Sequence, residues 1–287
     1  MLEFPEWLAI PLADWIDGIM DWVLVNWGGF FEAVNDKFML QILKGIEDFL
    51  LWLPWIVIVL LVGLVAWRIM RRWWAGLLMA AFLVLIGSFG LWDFAMMTLA
   101  IMITAVIISL VIGIPTGILM ARSNFVESIL KPILDAMQTM PSFVYLVPVM
   151  MLFGLGKVPA TFATILYAVP PVIRLTNAGI RQVSVSVIEA AKAFGSSSRQ
   201  ILFEVQLPLA IPSILVGINQ TTMMALAMVV ICATVGASGL GEEVWRSLND
   251  LDIGRGFVAG LSIVLLAIII DRITHAMAAR QERALKT

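Results

Sequence analysis

Long apolar segments alternate with short polar connections along most of this chain. After residue 48 there are seven charge-poor segments, each close to the roughly 20 residues that an α-helix needs to cross a bilayer. They run roughly over residues 49–67, 74–92, 94–120, 138–156, 158–174, 208–234 and 256–272. The pattern predicts an all-α integral membrane protein with about seven transmembrane helices.

Two connections between these segments carry further information. The fourth and fifth segments are separated only by the turn 154–159, which predicts a tight hairpin. The end of the sixth segment, residues 233–241, is rich in glycine and other small residues. This composition suits either a re-entrant piece or a gate.

The N-terminal region has an amphipathic pattern instead. Over residues 5–27 the helical period separates an acidic face from an aliphatic one. These faces hold Asp14, Asp17 and Asp21, and Leu12, Ile16, Ile19 and Val23, respectively. The tryptophans of this stretch favour a helix in the membrane interface, the alternative being a solvated helix packed on a partner. We expect residues 26–29 to end this helix and residues 30–48 to form a second short one.

One long polar stretch, residues 186–208, interrupts the apolar second half. Ser186 and Glu189 match a capping box, which predicts a short helix that the following alanines extend. Gly195 then supplies a position where a helix can end in the left-handed conformation.

A second short helix is predicted directly after this glycine. Ser197 and Gln200 match another capping box, and the helix should run to Gln206. Pro208 fits the first turn of the long apolar helix that follows. The stretch therefore predicts two short helices joined at a glycine between two membrane spans.

The composition excludes several classes of protein. Of the 287 residues 61% are hydrophobic and 13% charged, with a mean hydropathy of +1.01, which is unlike a soluble globular protein. A formal net charge of −2 argues against a nucleic-acid binder that relies on basicity. Cys232 is the only cysteine and His275 the only histidine, so we predict no intrachain disulfide, no metal cluster and no catalytic site.

Basic residues are distributed unequally between the two sides of the predicted helix bundle. The side with the 186–208 connection holds thirteen of them: Arg68, Arg71, Arg72, Arg122, Lys131, Arg174, Arg181, Lys192, Arg199, Arg272, Arg280, Arg283 and Lys286. The other side holds five: Lys37, Lys44, Lys157, Arg246 and Arg255. The positive-inside rule therefore predicts an N-terminus outside and a C-terminus in the cytoplasm.

The sixth span contains four consecutive polar residues without charge, namely Asn219, Gln220, Thr221 and Thr222. Ionisable residues inside a membrane usually mark proton or ion pathways. The predicted spans carry their charges only at the ends, which argues against a proton-driven carrier. Sodium coupling through backbone carbonyls would not be detected in this way. We predict that these four residues line the path of a solute with zero net charge. At least one of them should bond within its own helix.

The polar stretch resembles the EAA loop of ABC importer permeases. That pattern reads Glu-Ala-Ala, three residues, Gly, nine residues, Ile, one residue, Leu-Pro. The matching positions are Glu189, Ala190, Ala191, Gly195, Val205, Leu207 and Pro208, with Val205 in place of isoleucine. In that family the loop is the coupling helix that docks into a cleft of a cytoplasmic ATPase, and the resemblance implies this role for these residues.

Residues 95–275 are similar to the permease subunit of glycine betaine/proline ABC importers. Among the stretches that carry the likeness are MQTMPSFVYLVPVMMLFGLGKVPA and NQTTMMALAMVVICATVGASGLG. The resemblance implies a type I ABC importer permease fold. Its regions are an extracytoplasmic amphipathic region (1–48), two peripheral spans (49–93), a permease core (94–275) and a cytoplasmic tail (276–287).

The resemblance also implies partners and a location. Permeases of this family are usually homodimers in the bacterial inner membrane, and they work with two copies of a cytoplasmic ABC ATPase and with a substrate-binding protein. ATP and Mg are expected on the ATPase, because the chain lacks a Gly-rich phosphate loop with Lys-Ser/Thr. We expect the binding protein to be a separate chain, since the short C-terminal tail leaves no room for a fused one.

The expected function is uptake of a compatible solute of the glycine betaine class. Alternatives are another small amine or zwitterion such as choline, carnitine, proline or trimethylamine N-oxide, an ion-coupled secondary carrier, or a membrane scaffold. Six tryptophans at span ends are interpreted as interfacial belt residues rather than as an aromatic cage. They are Trp52, Trp55, Trp67, Trp73, Trp74 and Trp92.

Overall fold

The structure is a computed structural model that describes residues 11–34 and 39–286, with side chains to residue 280. All its regular elements in these ranges are helices. They are α1 (Leu12–Ala33), α2 (Leu40–Trp52), α3 (Trp55–Met70), α4 (Trp73–Ser88), α5 (Trp92–Arg122), α6 (Asn124–Thr139), α7 (Ser142–Phe153), α8 (Lys157–Arg181), α9 (Val185–Ala193), α10 (Ser198–Gln200), α11 (Leu207–Ile231), α12 (Leu240–Asp250) and α13 (Ile253–Lys286). A π-helical segment, Ile201–Gln206, joins α10 to α11, and a 3₁₀ turn, Cys232–Val235, follows α11.

The apolar helices agree with the predicted spans. Within the described ranges four helices are long and apolar enough to cross a membrane: α5, α8, α11 with its flanking segments, and α13. The pairs α2–α3 and α6–α7 pass the same test together but are sharply bent, and α4 is a shorter apolar helix. The four long helices, the two bent pairs and α4 are together roughly consistent with the predicted seven.

The first and fourth predicted spans contain bends that the apolar pattern does not reveal. The chain turns by 98° between α2 and α3 and by 101° between α6 and α7. At each bend the residue before a proline is extended, with ψ of 129° at Leu53 and 135° at Met140, because proline disfavours the helical conformation in its predecessor. The predicted boundaries at residues 49 and 138 are therefore wrong, and the straight helices begin at Trp55 and Ser142.

Helix α1 continues beyond the point where we expected it to end. It passes through Gly28 and Gly29 and runs to Ala33, so the predicted break at residues 26–29 is wrong. A glycine costs a helix only about 1 kcal/mol, and Phe31 beyond the two glycines packs edge-on against Phe153 of α7, with ring centroids 5.5 Å apart. No residue of α1 is buried. Residues 5–10 of the predicted amphipathic helix, including Trp7, lie outside the described residues.

Helices α5, α8 and α11 form the centre of the bundle, and glycines allow α5 and α8 to approach closely. A Cβ atom at Gly113 would lie 2.4 Å from Cγ1 of Val172. One at Gly117 would lie 2.6 Å from Cβ of Thr176 and 2.7 Å from the carbonyl oxygen of Ile173. Real Cβ contacts are not this short, so a larger residue at either position would require neighbouring atoms to shift.

The predicted hairpin between α7 and α8 is confirmed, and it is a junction of several elements. Lys157 at the start of α8 forms an ion pair with the buried Glu47 of α2, with 2.6 Å between Nζ and Oε1. The Gly156 N–H donates to the Val235 carbonyl oxygen at 2.9 Å. This turn therefore joins α2, α8 and the end of α11.

The small-residue segment 233–241 leads into α12 through a tightly packed loop. The Leu240 N–H donates to the hydroxyl of Thr98 in α5 at 2.8 Å. A Cβ at Gly239, whose φ is +148°, would lie 2.5 Å from that hydroxyl oxygen. Glu243 of α12 is buried and accepts from Nε of Arg255 in α13 at 2.7 Å, so α12 is fixed to both α5 and α13.

Candidate coupling loop and polar segment of the sixth span

The first helix of the 186–208 loop begins earlier than the sequence predicts. Helix α9 starts at Val185 with Ser184 at the N-cap position, and Ser186 lies inside the helix. The predicted capping box between Ser186 and Glu189 is therefore wrong. The hydroxyls of Ser184 and Ser186 lie 3.3 Å apart and hydrogen bond to each other, while the Glu189 side chain is exposed.

The turn at Gly195 has the predicted left-handed conformation, with φ of +83°. The Gly195 N–H donates to the Lys192 carbonyl oxygen at 2.9 Å. The Ser196 N–H donates to the Ala191 carbonyl oxygen at 3.0 Å. These two bonds form a Schellman motif, which satisfies the last carbonyl groups of α9 and fixes the angle at which the chain leaves it.

The second helix also begins as predicted. The Gln200 N–H donates to the Ser197 hydroxyl at 3.4 Å, and the Ser197 N–H donates to the Gln200 side-chain oxygen at 2.9 Å, which completes the capping box. The helix then continues without interruption through the π-helical segment into α11, so the prediction of a separate short helix that ends at Gln206 is wrong. Pro208 lies in the first turn of α11, as predicted.

The loop rests on a small apolar core of its own. Ile180 near the end of α8, Leu202 of the π-helical segment and Ala210 of α11 are buried together. Next to them, Arg181 bonds to Asn177 within α8 and pairs with Glu127 of α6 at 3.0 Å. These contacts fix both ends of the loop to the bundle.

The outer surface of the loop exposes one large aromatic side chain that the sequence analysis missed. Phe194 is the C-cap residue of α9 and is 91% exposed. Glu189 and Ala190 are exposed beside it, and Ala191 is half-buried. The available signal in the sequence was a large apolar residue directly before the glycine that was predicted to end the helix. The loop thus presents Phe194 together with exposed charged side chains of both signs, such as Glu189 and Lys192, on an anchored base.

The four polar residues of the sixth span do not face in one direction. Asn219 contacts α13, where it accepts a hydrogen bond from Thr274 and donates to Asp271 at 3.5 Å. The Thr222 hydroxyl donates to the Ile218 carbonyl oxygen at 2.7 Å, so one member bonds within its own helix as predicted.

The other two residues differ in their exposure. Gln220 is exposed, while Thr221 is buried and its hydroxyl has no hydrogen-bond partner among the described residues. Near Asn219 lies a cleft of about 410 Å³, which is also lined by Ser213 and His275. The sequence analysis missed the participation of α13, because contacts between residues so distant in the chain leave no local signal.

Comparison with known proteins identifies the family. Residues 113–283 match the family described as binding-protein-dependent transport system inner membrane component, which covers more than half of the chain. The chain belongs to this family. It is a membrane transport component rather than an enzyme, as predicted.

Two relatives with known transport roles match nearly all of this binding-protein-dependent transport component. It is 47% identical over 268 residues to the glycine betaine/proline betaine transport system permease protein ProW of Escherichia coli (strain K12), covering 93% of this chain and 75% of that protein. It is 46% identical over 279 residues to the glycine betaine/carnitine transport permease protein GbuB of Listeria monocytogenes, covering 95% and 97% respectively.

The fold is also similar to that of a solved transporter. The MetNI methionine ABC transporter in an inward-facing conformation matches with a TM-score of 0.59 at 20% identity, over 64% of this chain and 93% of that chain. Together with the family match, this likeness confirms the predicted type I ABC importer permease fold.

Proposed function

We propose that this chain is the permease subunit of an ATP-driven importer that takes up a zwitterionic quaternary-ammonium solute of the glycine betaine class. The observation that carries the proposal is the identity of 46–47% with two permeases whose names both include glycine betaine, over at least 93% of this chain. The neutral polar residues of the sixth span agree with a solute of zero net charge.

The 186–208 loop is proposed to couple the permease to its ATPase. Its contact residues are the seven that match the EAA pattern: Glu189, Ala190, Ala191, Gly195, Val205, Leu207 and Pro208. We add Phe194 to this set, because its side chain is 91% exposed at the end of the helix that holds Glu189 and Ala190 and is accessible to a partner. The buried core beneath the loop supports this role, since a movement imposed on the loop reaches α8 and α11 directly.

We further propose a homodimer with two copies of a cytoplasmic ABC ATPase and a separate binding protein, in the bacterial inner membrane. ATP and Mg would bind to the ATPase. The distribution of basic residues between the two sides supports an N-terminus outside and a C-terminus in the cytoplasm. Residues 94–275 would form the permease core, which the family match over 113–283 supports. Residues 1–48, 49–93 and 276–287 would be the amphipathic region, the peripheral spans and the tail.

The proposed substrate path includes the polar segment of α11. Asn219, with its partners on α13, and the exposed Gln220 are the members best placed to meet a solute. Replacing residues 219–222 with alanine should reduce uptake while leaving the assembled complex intact. If a correctly assembled variant takes up the solute at the wild-type rate, the segment is not part of the substrate path.

The test of the proposed function is reconstitution with the cognate ATPase and binding protein in proteoliposomes. We expect uptake of labelled glycine betaine that requires ATP on the side of the ATPase and stops with an ATPase variant unable to hydrolyse it. Competition with unlabelled carnitine, choline, proline and trimethylamine N-oxide ranks the alternative substrates. Uptake driven by an ion gradient without ATP would instead identify a secondary carrier, and no uptake in either case would identify a scaffold.

A further inference from the structure

Three tryptophans and a carboxylate converge on one cleft at the end of the peripheral helices. The cleft encloses about 570 Å³ between the α2–α3 bend and the α4–α5 turn. Trp52, Trp55, Trp92 and Asp93 line it together with aliphatic side chains such as Leu83. These tryptophans are among those interpreted from the sequence as separate belt residues, and the fold brings them to a common site.

Two features of the backbone produce this convergence. The 98° bend places Trp52, the last residue of α2, and Trp55, the first residue of α3, on either side of one corner. On the opposite wall, the chain turns at Gly90 with φ of +74° and leads into Trp92. The Trp92 ring lies over Gly87, where a Cβ atom would meet ring atom Cε3 at 3.6 Å. This is an ordinary van der Waals distance, so the Trp92 ring packs against α4 at this position.

The chemistry of the lining favours a cation that carries alkyl groups. Indole faces attract cations, and the carboxylate of Asp93 adds a full negative charge. Among the residues that the structure describes, no lysine, arginine or histidine lines the cleft, and Asp93 forms no ion pair with any of them. The Ser88 hydroxyl is already bonded to the Val84 carbonyl oxygen at 2.7 Å. The cleft therefore has negative charge and aromatic surface and does not suit an anion.

The opposite end of the same helix pair shows a different arrangement. There Arg72 of this chain lies over the ring of Trp74, with 5.7 Å between the guanidinium carbon and the ring centroid. That tryptophan already has a cation from its own chain. At the Trp52–Trp92 cleft the described part of the chain supplies a carboxylate instead, so any cation bound there would come from another molecule.

We propose that this cleft binds an alkylammonium group at the outer face of the membrane, at a site separate from the α11 segment. Its position on the outer face rests on the topology proposed above, but binding does not require transport. Two sources offer the same chemistry, a free quaternary-ammonium solute and the amine headgroup of a phospholipid. The open side of the cleft and its aliphatic wall are compatible with both.

Fluorine NMR of the full chain labelled with 5-fluorotryptophan tests the proposal. The protein is placed in nanodiscs of phosphatidylglycerol alone, and tetramethylammonium chloride is titrated against sodium chloride at equal ionic strength. Single Trp→Phe variants assign the resonances of Trp52, Trp55 and Trp92. We expect these three to shift saturably with tetramethylammonium, while Trp245 of α12 serves as an internal control and does not move.

Asp93→Asn tests the carboxylate. It should weaken the apparent affinity for tetramethylammonium about two- to fivefold, the range for one partly exposed charge, with an otherwise unchanged spectrum. A second set of nanodiscs with added phosphatidylethanolamine separates the two sources. Shifts that appear with this lipid, but not with the free cation, identify the headgroup as the ligand.

Two outcomes would overturn the proposal. The first is the absence of a specific shift of the three resonances with either ligand in a correctly folded protein. The second is an equal shift with sodium chloride, which would reflect ionic strength alone. Neither outcome depends on ATP, the ATPase or uptake, so the proposed import function stands or fails separately.

Discussion

Gly195 allows backbone strain to be separated from contact with a partner. Its φ of +83° is unfavourable for most residues, and a Cβ atom added there would meet nothing within 4 Å in this chain. The Cβ of alanine therefore meets no other atom of the chain. The cost of the substitution is that of the left-handed backbone conformation, roughly 1–2 kcal/mol of free energy. A cost of that size corresponds to about a 5- to 30-fold change in an equilibrium constant.

Three substitutions use this difference. Gly195→Val and Gly195→Ala both carry the strain, and valine adds bulk. Gly195→Asn adds bulk similar to valine but tolerates the left-handed conformation far better. If the loop enters a cleft of the ATPase, we expect valine and asparagine both to abolish ATP-driven uptake and alanine to reduce it. Membrane insertion should be unchanged, since it depends on the apolar spans.

The assay is co-purification of the ATPase with each variant, followed by uptake and ATP hydrolysis in proteoliposomes. Loss of the ATPase indicates failed docking, while a retained ATPase that hydrolyses ATP without uptake indicates uncoupling. Gly90→Ala is the matched control, because Gly90 also has a positive φ, +74°, with no atom within 4 Å, at a turn predicted on the other side. It should retain its ATPase.

Two results would refute the reasoning about Gly195. Normal uptake and a retained ATPase in the valine variant would show that the loop is not the coupling element. Normal uptake with asparagine but not with valine or alanine would attribute the effect to strain and remove the proposed close contact at this position.

Three further predictions concern topology and packing. A cysteine at the exposed Asn249 should react with an impermeant thiol reagent in intact cells with a permeabilised outer membrane, and labelling only after the inner membrane is broken would reverse the topology. Gly117→Ala should lower the unfolding free energy by about 1–3 kcal/mol through overpacking, whereas Gly260→Ala, with nothing within 4 Å, should raise it by up to about 1 kcal/mol; equal thermal melts would contradict this. A double-mutant cycle with Glu47→Ala and Lys157→Ala should give a coupling of about 1–3 kcal/mol in thermal unfolding, and additivity would show that the pair is not formed.

Local sequence signals predicted the features of the loop that depend on local hydrogen bonds. Ser197 and Gln200 form their capping box, Gly195 is left-handed, and Pro208 lies in the first turn of α11. The Ser186 match failed because the helix begins one residue before it, at Val185, so Ser186 lies inside the helix and cannot serve as its N-cap. A capping pattern thus locates a helix more reliably than it locates the first residue of that helix.

Hydropathy predicted the approximate number of spans but not their bends or the grouping of their ends. The turn at Leu53 follows from the proline after it, a local signal that a purely apolar window averages away. The convergence of Trp52, Trp92 and Asp93 has no local signal at all, because it requires the turn between α4 and α5 to lie beside the turn between α2 and α3. For this reason the sequence analysis interpreted the tryptophans one by one, as belt residues.

The packing of α8 against α11 gives the proposed coupling a mechanical basis. From Ser198 to Val235 the chain is one continuous helical path of 38 residues, about 57 Å at the rise of an α-helix. A Cβ at Gly179 of α8 would lie 2.7 Å from Cβ of Ser213, so the two helices touch near the loop. At the far end, the Gly156 N–H bonds to the Val235 carbonyl oxygen. Because α8 is held to α11 at both ends, a displacement of the loop by an ATPase would move the two helices together and carry the α7–α8 hairpin with them.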